Sequence, residues 1–141
     1  MEDFDEGGAG VAYFDTTSGN SFGQYRNTRV DIKAASDIPG YAVVAAQGEW
    51  LEYTVNVTVS GNYRIQAHVA SDVGDGSFHV QVDGVNVTGS IGIPYTGEVD
   101  TNYDNVTSVT FPMTMGQHVI RVYMENDDFD LDFMTFSLRT R

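Results

Sequence analysis

The chain contains no cysteine, so no disulfide steadies its fold and no thiolate is available as nucleophile or soft metal ligand. Basic residues are scarce: 7 Lys and Arg stand against 20 Asp and Glu, a formal net charge of −13. That balance excludes nucleic acid, whose phosphates need a basic surface. It also excludes polyanionic polymers held by charge alone, because like charges repel. No apolar run approaches the roughly 18 residues that span a bilayer, so a soluble chain with no membrane partner is expected. The opening Met1-Glu2-Asp3-Phe4 does not read as a signal peptide. The expectation is therefore a single domain over residues 1–141, excised from a larger secreted chain whose own signal peptide lies upstream. A neutral polymer, a cation or a cationic polymer is left as partner, and a secreted domain without disulfides can use calcium in their place.

What the chain does have is alternation. Leu51, Tyr53, Val55 and Val57 alternate with Trp50, Glu52, Thr54 and Asn56. Tyr63, Ile65, Ala67 and Val69 alternate with Arg64, Gln66 and His68. Phe78, Val80 and Val82 alternate with His79, Gln81 and Asp83, and Ile120, Val122 and Met124 with Arg121, Tyr123 and Glu125. Phe129, Leu131, Phe133 and Phe136 form a similar, slightly broken pattern. Turn signals lie between these runs at Ser60-Gly61-Asn62, Gly74-Asp75-Gly76, Asp83-Gly84 and Met115-Gly116-Gln117. Short strands at this spacing predict an all-β protein, a two-sheet antiparallel β-sandwich or a barrel. Residues 16–29 and 93–105 read as long loops, where a rigid frame usually carries its binding groups.

Trp50 is the only tryptophan, and parity points it away from the side that Leu51 and Tyr53 bury. Two readings are open. A loop or the other sheet covers it, or it is a flat platform for the apolar C–H face of a pyranose. Glu52 shares its face, and Arg121, His79 and Gln81 share its outward parity on other strands. The histidines His68, His79 and His118 have no zinc-ligand spacing and read as solvated strand positions. Acid pairs such as Asp127-Asp128, or Glu98 with Asp130, would serve glycoside hydrolysis only if two carboxyl groups faced one cleft about 5–10 Å apart. There is no nucleophile elbow and no phosphate-binding glycine loop.

One ordered set of residues resembles a known family. It runs through Glu2-Asp3-Phe4-Asp5, Val11-Ala12-Tyr13, Tyr25-Arg26, Val30-Asp31-Ile32 and Gly40-Tyr41 to Gly48-Glu49-Trp50-Leu51-Glu52-Tyr53-Thr54-Val55-Asn56-Val57. It continues through Gly61-Asn62-Tyr63, Val69-Ala70-Ser71, Val82-Asp83-Gly84, Thr96-Gly97 and Gly116-Gln117-His118 to Phe129-Asp130-Leu131-Asp132-Phe133. The set is similar to the family 6 carbohydrate-binding modules. The resemblance implies a jelly-roll sandwich, a monomer, that binds polysaccharide and attaches a glycoside hydrolase to its substrate. Neutral β-glucan, xylan and agarose are the implied ligands, with cationic chitosan as an outsider.

The resemblance also implies two sugar sites and a structural calcium. At the loop edge, Val44, Val99 and Asp130 stand where the family has an aromatic clamp and an asparagine. Tyr41, Tyr95 and Tyr103 lie nearby as replacements, with Glu98 beside them. On the concave sheet face, Trp50, Glu52 and Arg121 match the family's stacking and polar positions. The edge is favoured because that site is the commoner in the family. Calcium is expected on Glu2 and Asp132 with a carbonyl near Ser21, as hard oxygen ligands require. A calcium-dependent protein-interaction or adhesion module, and a small glycosidase using paired carboxylates, are the competing functions.

Overall fold

The computed structural model describes residues 1–17, 19–23, 28, 30–35, 40–99 and 101–140. Among the described residues twelve strands follow one another: β1 Tyr13–Phe14, β2 Ile32–Ala35, β3 Gly40–Ala45, β4 Trp50–Val57, β5 Gly61–Ala70, β6 Ser77–Val82, β7 Val85–Asn86, β8 Ile91–Gly92, β9 Asp104–Thr107, β10 Phe111–Met113, β11 Gly116–Met124 and β12 Phe129–Arg139. They form two antiparallel sheets of six strands, as the alternation predicts. Sheet A runs β1-β4-β11-β6-β7 with β8 on β6, and sheet B runs β10-β5-β12-β3-β2 with β9 on β5.

The apolar halves of the alternating runs meet between the sheets. Leu51, Phe78, Val80, Ile120 and Val122 of sheet A face Ile32, Val43, Ile65, Val69 and Leu131 of sheet B, all nearly inaccessible. Burial of these branched and aromatic groups is the main stabilising term. The polar halves therefore lie on the two outer faces.

Turn chemistry sets the registers. Asp83 and Gly84 both have positive φ, 50° and 84°, as a two-residue type I′ hairpin requires, and they join Val82 to its partner Val85. The break in the last run is a bulge between Leu131 and Phe133, which leaves Asp132 without a residue opposite it on β5. At the base, Asp83 accepts from the backbone of Val119 (2.9 Å) and from His118 Nδ1 (2.6 Å). His118 Nε2 lies 2.8 Å from the Thr114 carbonyl and ties the β6–β7 hairpin to the β10–β11 turn.

Candidate functional site

On the outer face of sheet A, strand pairing lays side chains in rows. Phe14 is opposite Trp50, Trp50 opposite Tyr123, and Tyr123 opposite His79, so one row crosses β1, β4, β11 and β6. The Phe14 and Trp50 rings are near-parallel with centroids 6.5 Å apart, and His79 stacks on Tyr123 at 4.9 Å. Phe14 is 44% exposed. The next row carries Glu52, Arg121, Gln81 and Asn86 on β4, β11, β6 and β7.

These rows are wired together. Arg121 donates from Nε (2.9 Å) and Nη2 (2.5 Å) to Glu52 Oε1, and its Cζ sits 3.8 Å from the centroid of the Trp50 ring. The guanidinium thus occupies one face of the indole as a cation–π partner. Trp50 is half-buried, and it is neither sealed inside the protein nor a bare platform. His79 Nδ1 lies 2.8 Å from Glu125 Oε1, and Ser90 donates to Glu125 Oε2 at 2.5 Å. Gln81 Nε2 is 3.1 Å from His79 Nε2. With Gln81 donating there, neutral His79 carries its proton on Nδ1 and gives it to Glu125. Burial pushes the Glu125 carboxyl up, but the hydrogen bonds from Ser90, His79 and Ser77 outweigh it and hold the group below its ordinary value. The face is a row of rings bordered by fixed donors and acceptors.

The tyrosines expected at the loop edge fall on different elements. Tyr41 lies on the inner side of β3 and packs against the core. Tyr103 lies on the outer face of sheet B and stacks on His68 at 5.2 Å. Tyr95 alone projects from its loop, 68% exposed. Its backbone is held down: Thr96 and Ser71 exchange hydrogen bonds of 2.8 and 2.9 Å, and Ser71 also donates to the Asp128 carbonyl at 2.8 Å. The Tyr95 backbone N would lie 2.6 Å from a Cβ on Gly74, whose φ is +79°, so only glycine fits there. Glu98 is exposed and its carbonyl caps a turn to Thr101 and Asn102. The companion positions Tyr25 and Arg26 lie outside the described residues.

Asp130 and Val44 are cross-strand neighbours. Yet Asp130 is only 3% exposed, and Lys33 Nζ from β2 lies 2.5 Å from its Oδ2. The carboxylate in the asparagine position is neutralised from inside the protein. Beside it the sequence reading of His68 is corrected: it is buried, 9% exposed, between Tyr103 and Phe133 (4.8 Å). His79 and His118 are also mostly covered, each nitrogen engaged as described above. The flat His68 ring fills a gap between two larger aromatics, which a parity count cannot show.

Of the expected calcium ligands, Glu2 and Asp132 both lie against Met1, whose N is 2.9 Å from Glu2 Oε2 and 2.5 Å from the Asp132 carbonyl. Tyr53 OH donates to the Met1 carbonyl and fixes the same segment. Ser21 stands elsewhere, in an exposed loop, donating its N–H to Asp31 Oδ1 at 2.6 Å. No three or more acidic or histidine side chains are grouped for a metal among the described residues. The Glu2 carboxylate and the Asp132 carbonyl are hard oxygen donors lying together, whereas the expectation was the Asp132 carboxylate, and Ser21 is not shown with them. A separate acidic group forms at Glu49, 4% exposed, which accepts from Thr16 N and Oγ1 at 3.0 and 2.9 Å. Burial raises its carboxyl above the ordinary value, helped by nearby Asp15 and Asp31.

Sequence reasoning did not single out Phe14, Tyr123, Ser90 or Glu125 as site residues. Tyr123 and Glu125 had the outward parity that would have found them. Phe14 sits in a strand of two residues, too short to show a period.

Comparison with known proteins follows from this geometry. No curated protein matches the chain. Among solved structures, the C-terminal family 6 module of LamC, a marine laminarinase from Zobellia galactanivorans, is 28% identical, with 85% of this chain and 95% of that one covered at a TM-score of 0.69. A module of Cellvibrio mixtus lichenase 5A, solved with cellotriose, is 25% identical over 93% and 98% of the two chains, TM-score 0.70. A β-1,3-glucan-binding module from Bacillus halodurans, 19% identical over 76% and 86%, shares the fold at 0.63. The sequence model described as "Carbohydrate binding module (family 6)" matches residues 20–138, and the chain belongs to that family.

Proposed function

We propose that this module binds a neutral polysaccharide on the outer face of sheet A and keeps an attached, secreted glycoside hydrolase near that polymer. The observation that carries the reading is the in-register row Phe14, Trp50, Tyr123 and His79 over four adjacent strands. At about 4.8 Å per strand the row is roughly 14 Å long, the scale of a short oligosaccharide and not of a single sugar. Rings supply C–H stacking surface, and Glu52, Arg121 and Gln81 supply acceptor and donors along one border. Phe14 offers its exposed surface directly. Trp50 offers the indole that Arg121 holds in place, and Arg121 keeps donors for sugar hydroxyls beyond those given to Glu52.

The loop edge is the weaker candidate. Its carboxylate is already paired to Lys33, and among its described tyrosines only Tyr95 is well exposed. The sheet face is therefore favoured over the edge, and the acidic surface points to uncharged ligands such as β-glucan, xylan or agarose. Shallow, wet sites of this type bind with dissociation constants of about 10 µM to 1 mM.

Affinity electrophoresis of the chain and of Trp50→Ala against a panel of these polymers tests the reading. A retarded wild type and a variant weakened about tenfold, close to 1.4 kcal/mol, are expected. Equal retardation of both proteins would move binding off this face, and release of reducing sugar from a bound polymer would favour the glycosidase alternative.

Calcium belongs to the frame in this reading, with the Glu2 carboxylate and the Asp132 carbonyl among its ligands. A ligand bound only to the folded form stabilises it by mass action. Chelation is expected to lower Tm while leaving glycan affinity within about twofold, a margin of roughly 0.4 kcal/mol. An unchanged Tm after chelation, or affinity lost in parallel, would count against a structural calcium.

A further inference from the structure

The outer face of sheet B has two ends of different character. At the Asp130 end a lysine and an acid are paired. The other end carries cations and no acid. It is built from β5, the Thr107 end of β9 and the later part of β12, and residues 53–71, 105–124 and 133–141 contain no Asp or Glu. Tyr63, Ile65 and Ala67 of β5, and Met134 and Phe136 of β12, pack on the core. Alternation therefore puts Arg64 and Gln66 outside on β5, and Thr135, Ser137 and Arg139 outside on β12.

Register fixes their neighbours. Thr107, Gln66 and Thr135 form one row across β9, β5 and β12. Arg64 is opposite Ser137 in the next row, and Arg139 is opposite Asn62 in the row after it. Arg64 and Arg139 are thus diagonal neighbours on one face, with backbones about 7–8 Å apart. Elsewhere the cations are matched: Lys33 holds Asp130, and Arg121 holds Glu52. Neither Arg64 nor Arg139 has an ion pair among the described residues. Arg64 Nε is buried and meets no acceptor among them. Two adjacent guanidinium groups without a carboxylate leave their mutual repulsion uncancelled, although the chain has 20 acids to supply one. A buried donor is likewise unfavourable until an acceptor reaches it.

We propose that this end of sheet B is a second binding site, for a carboxylate or sulfate group carried as a side group by an otherwise neutral polysaccharide. A guanidinium gives such a group two parallel hydrogen bonds. The hydroxyls of Thr107, Thr135 and Ser137 and the Gln66 amide add neutral donors around it. Phe133, 39% exposed, lies on the same face four residues before Ser137, about 13 Å along the strand. Its ring offers stacking surface to a neutral sugar of the same chain. The net charge of −13 repels a polymer charged at every residue far more than one charged sparsely. This face lies across the sandwich from the Trp50 row, so the two sites take separate polymer chains. The second site does not rest on the reading of the first.

Titration calorimetry of the whole chain tests the site with paired probes. One pair is a xylo-oligosaccharide bearing a glucuronic acid side group and its carboxyl-reduced form. The other is an agaro-oligosaccharide with and without one sulfate ester. At low salt the charged member of at least one pair should bind about fivefold more tightly than its neutral partner, and added NaCl should narrow the difference. The pair that shows it tells carboxylate from sulfate. Arg64→Gln should remove most of the difference with circular dichroism and Tm nearly unchanged, since no printed bond of the frame uses that guanidinium. Arg139→Gln, at an exposed position that leaves the fold intact, should remove part of it. Trp50→Ala should leave the difference as it is. Equal binding within both pairs overturns the proposal, as does a difference that survives both arginine variants. A charge-dependent difference in a chain whose affinity for every neutral probe is untouched by Trp50→Ala would sink the sheet A reading and leave this one standing.

Discussion

The outer faces of the two sheets carry similar residue types to different ends. On sheet A, Glu52 and Arg121 pair on a half-exposed surface, and the rings around them reach solvent. On sheet B, a mostly covered Lys33 pairs with buried Asp130, with buried Asp132 and His68 beside them. A carboxylate in water costs little and can exchange its partner for a hydroxyl. A carboxylate out of water must keep its cation, because breaking a buried pair leaves an uncompensated charge. The same chemistry is therefore available to a ligand on one face and committed to the frame on the other. Burial decides this, not residue identity.

The largest effect should come from disrupting the committed pair. Lys33→Met leaves the Asp130 carboxylate without that cation and should cost about 3 kcal/mol, a fall of many degrees in Tm. Glycan affinity on sheet A should not move in the folded fraction. A stable Lys33→Met that has lost binding would reverse the comparison and make Asp130 a ligand group.

How much of this division was legible in the sequence follows from what alternation measures. Period two identified the inward set, from Leu51 through Ile120 to Leu131, and the Phe129–Phe136 irregularity is the bulge at Asp132. Parity put Trp50, Glu52 and Arg121 on one outer face, where they do meet. Parity is blind to what covers an outer face. It treated His68 like His79, although Tyr103 and Phe133 enclose His68. It could not show that Lys33, about 100 residues from Asp130 in sequence, lies within 2.5 Å of it. The loop tyrosines were read by nearness in sequence to family positions, and Tyr41 fell on the inner side because strand parity overrides such nearness. Cross-strand neighbours such as Phe14 and Trp50 follow from pairing, which a single strand does not encode.

A smaller effect sharpens the comparison at the base of the sandwich, where a covered His118 pairs with a half-exposed Asp83 carboxylate that still belongs to the frame. The Asp83 carboxylate is held below its ordinary value by the Val119 N–H and by His118, and His118 is held above its own by Asp83 and the Thr114 carbonyl. His118, with a raised folded value, contributes fully below its unfolded value of about 6.5 and loses that contribution as pH rises through the folded one. Asp83, with a lowered value, contributes above about 3.9 and loses it as pH falls. Tm should therefore peak between these limits, and His118→Asn should flatten the decline on the alkaline side. An unchanged alkaline slope in that variant would remove the pair from the frame.

The smallest effect, and the one that tests the comparison most directly, is at Tyr95. It is the most exposed aromatic residue of the loop edge, at 68%, and the edge reading needs a ring there. The bonds that hold the loop are made by its neighbour Thr96 with Ser71, and the Tyr95 backbone adds the close approach to Gly74. Tyr95→Ala should therefore leave Tm nearly unchanged. With the sheet face as the binding surface, glycan affinity should also stay within about twofold, roughly 0.4 kcal/mol. A tenfold loss with Tm intact would instead make the loop a ligand surface despite the buried Lys33–Asp130 pair. Exposure alone would then be enough to recruit a ring, with no polar partner beside it.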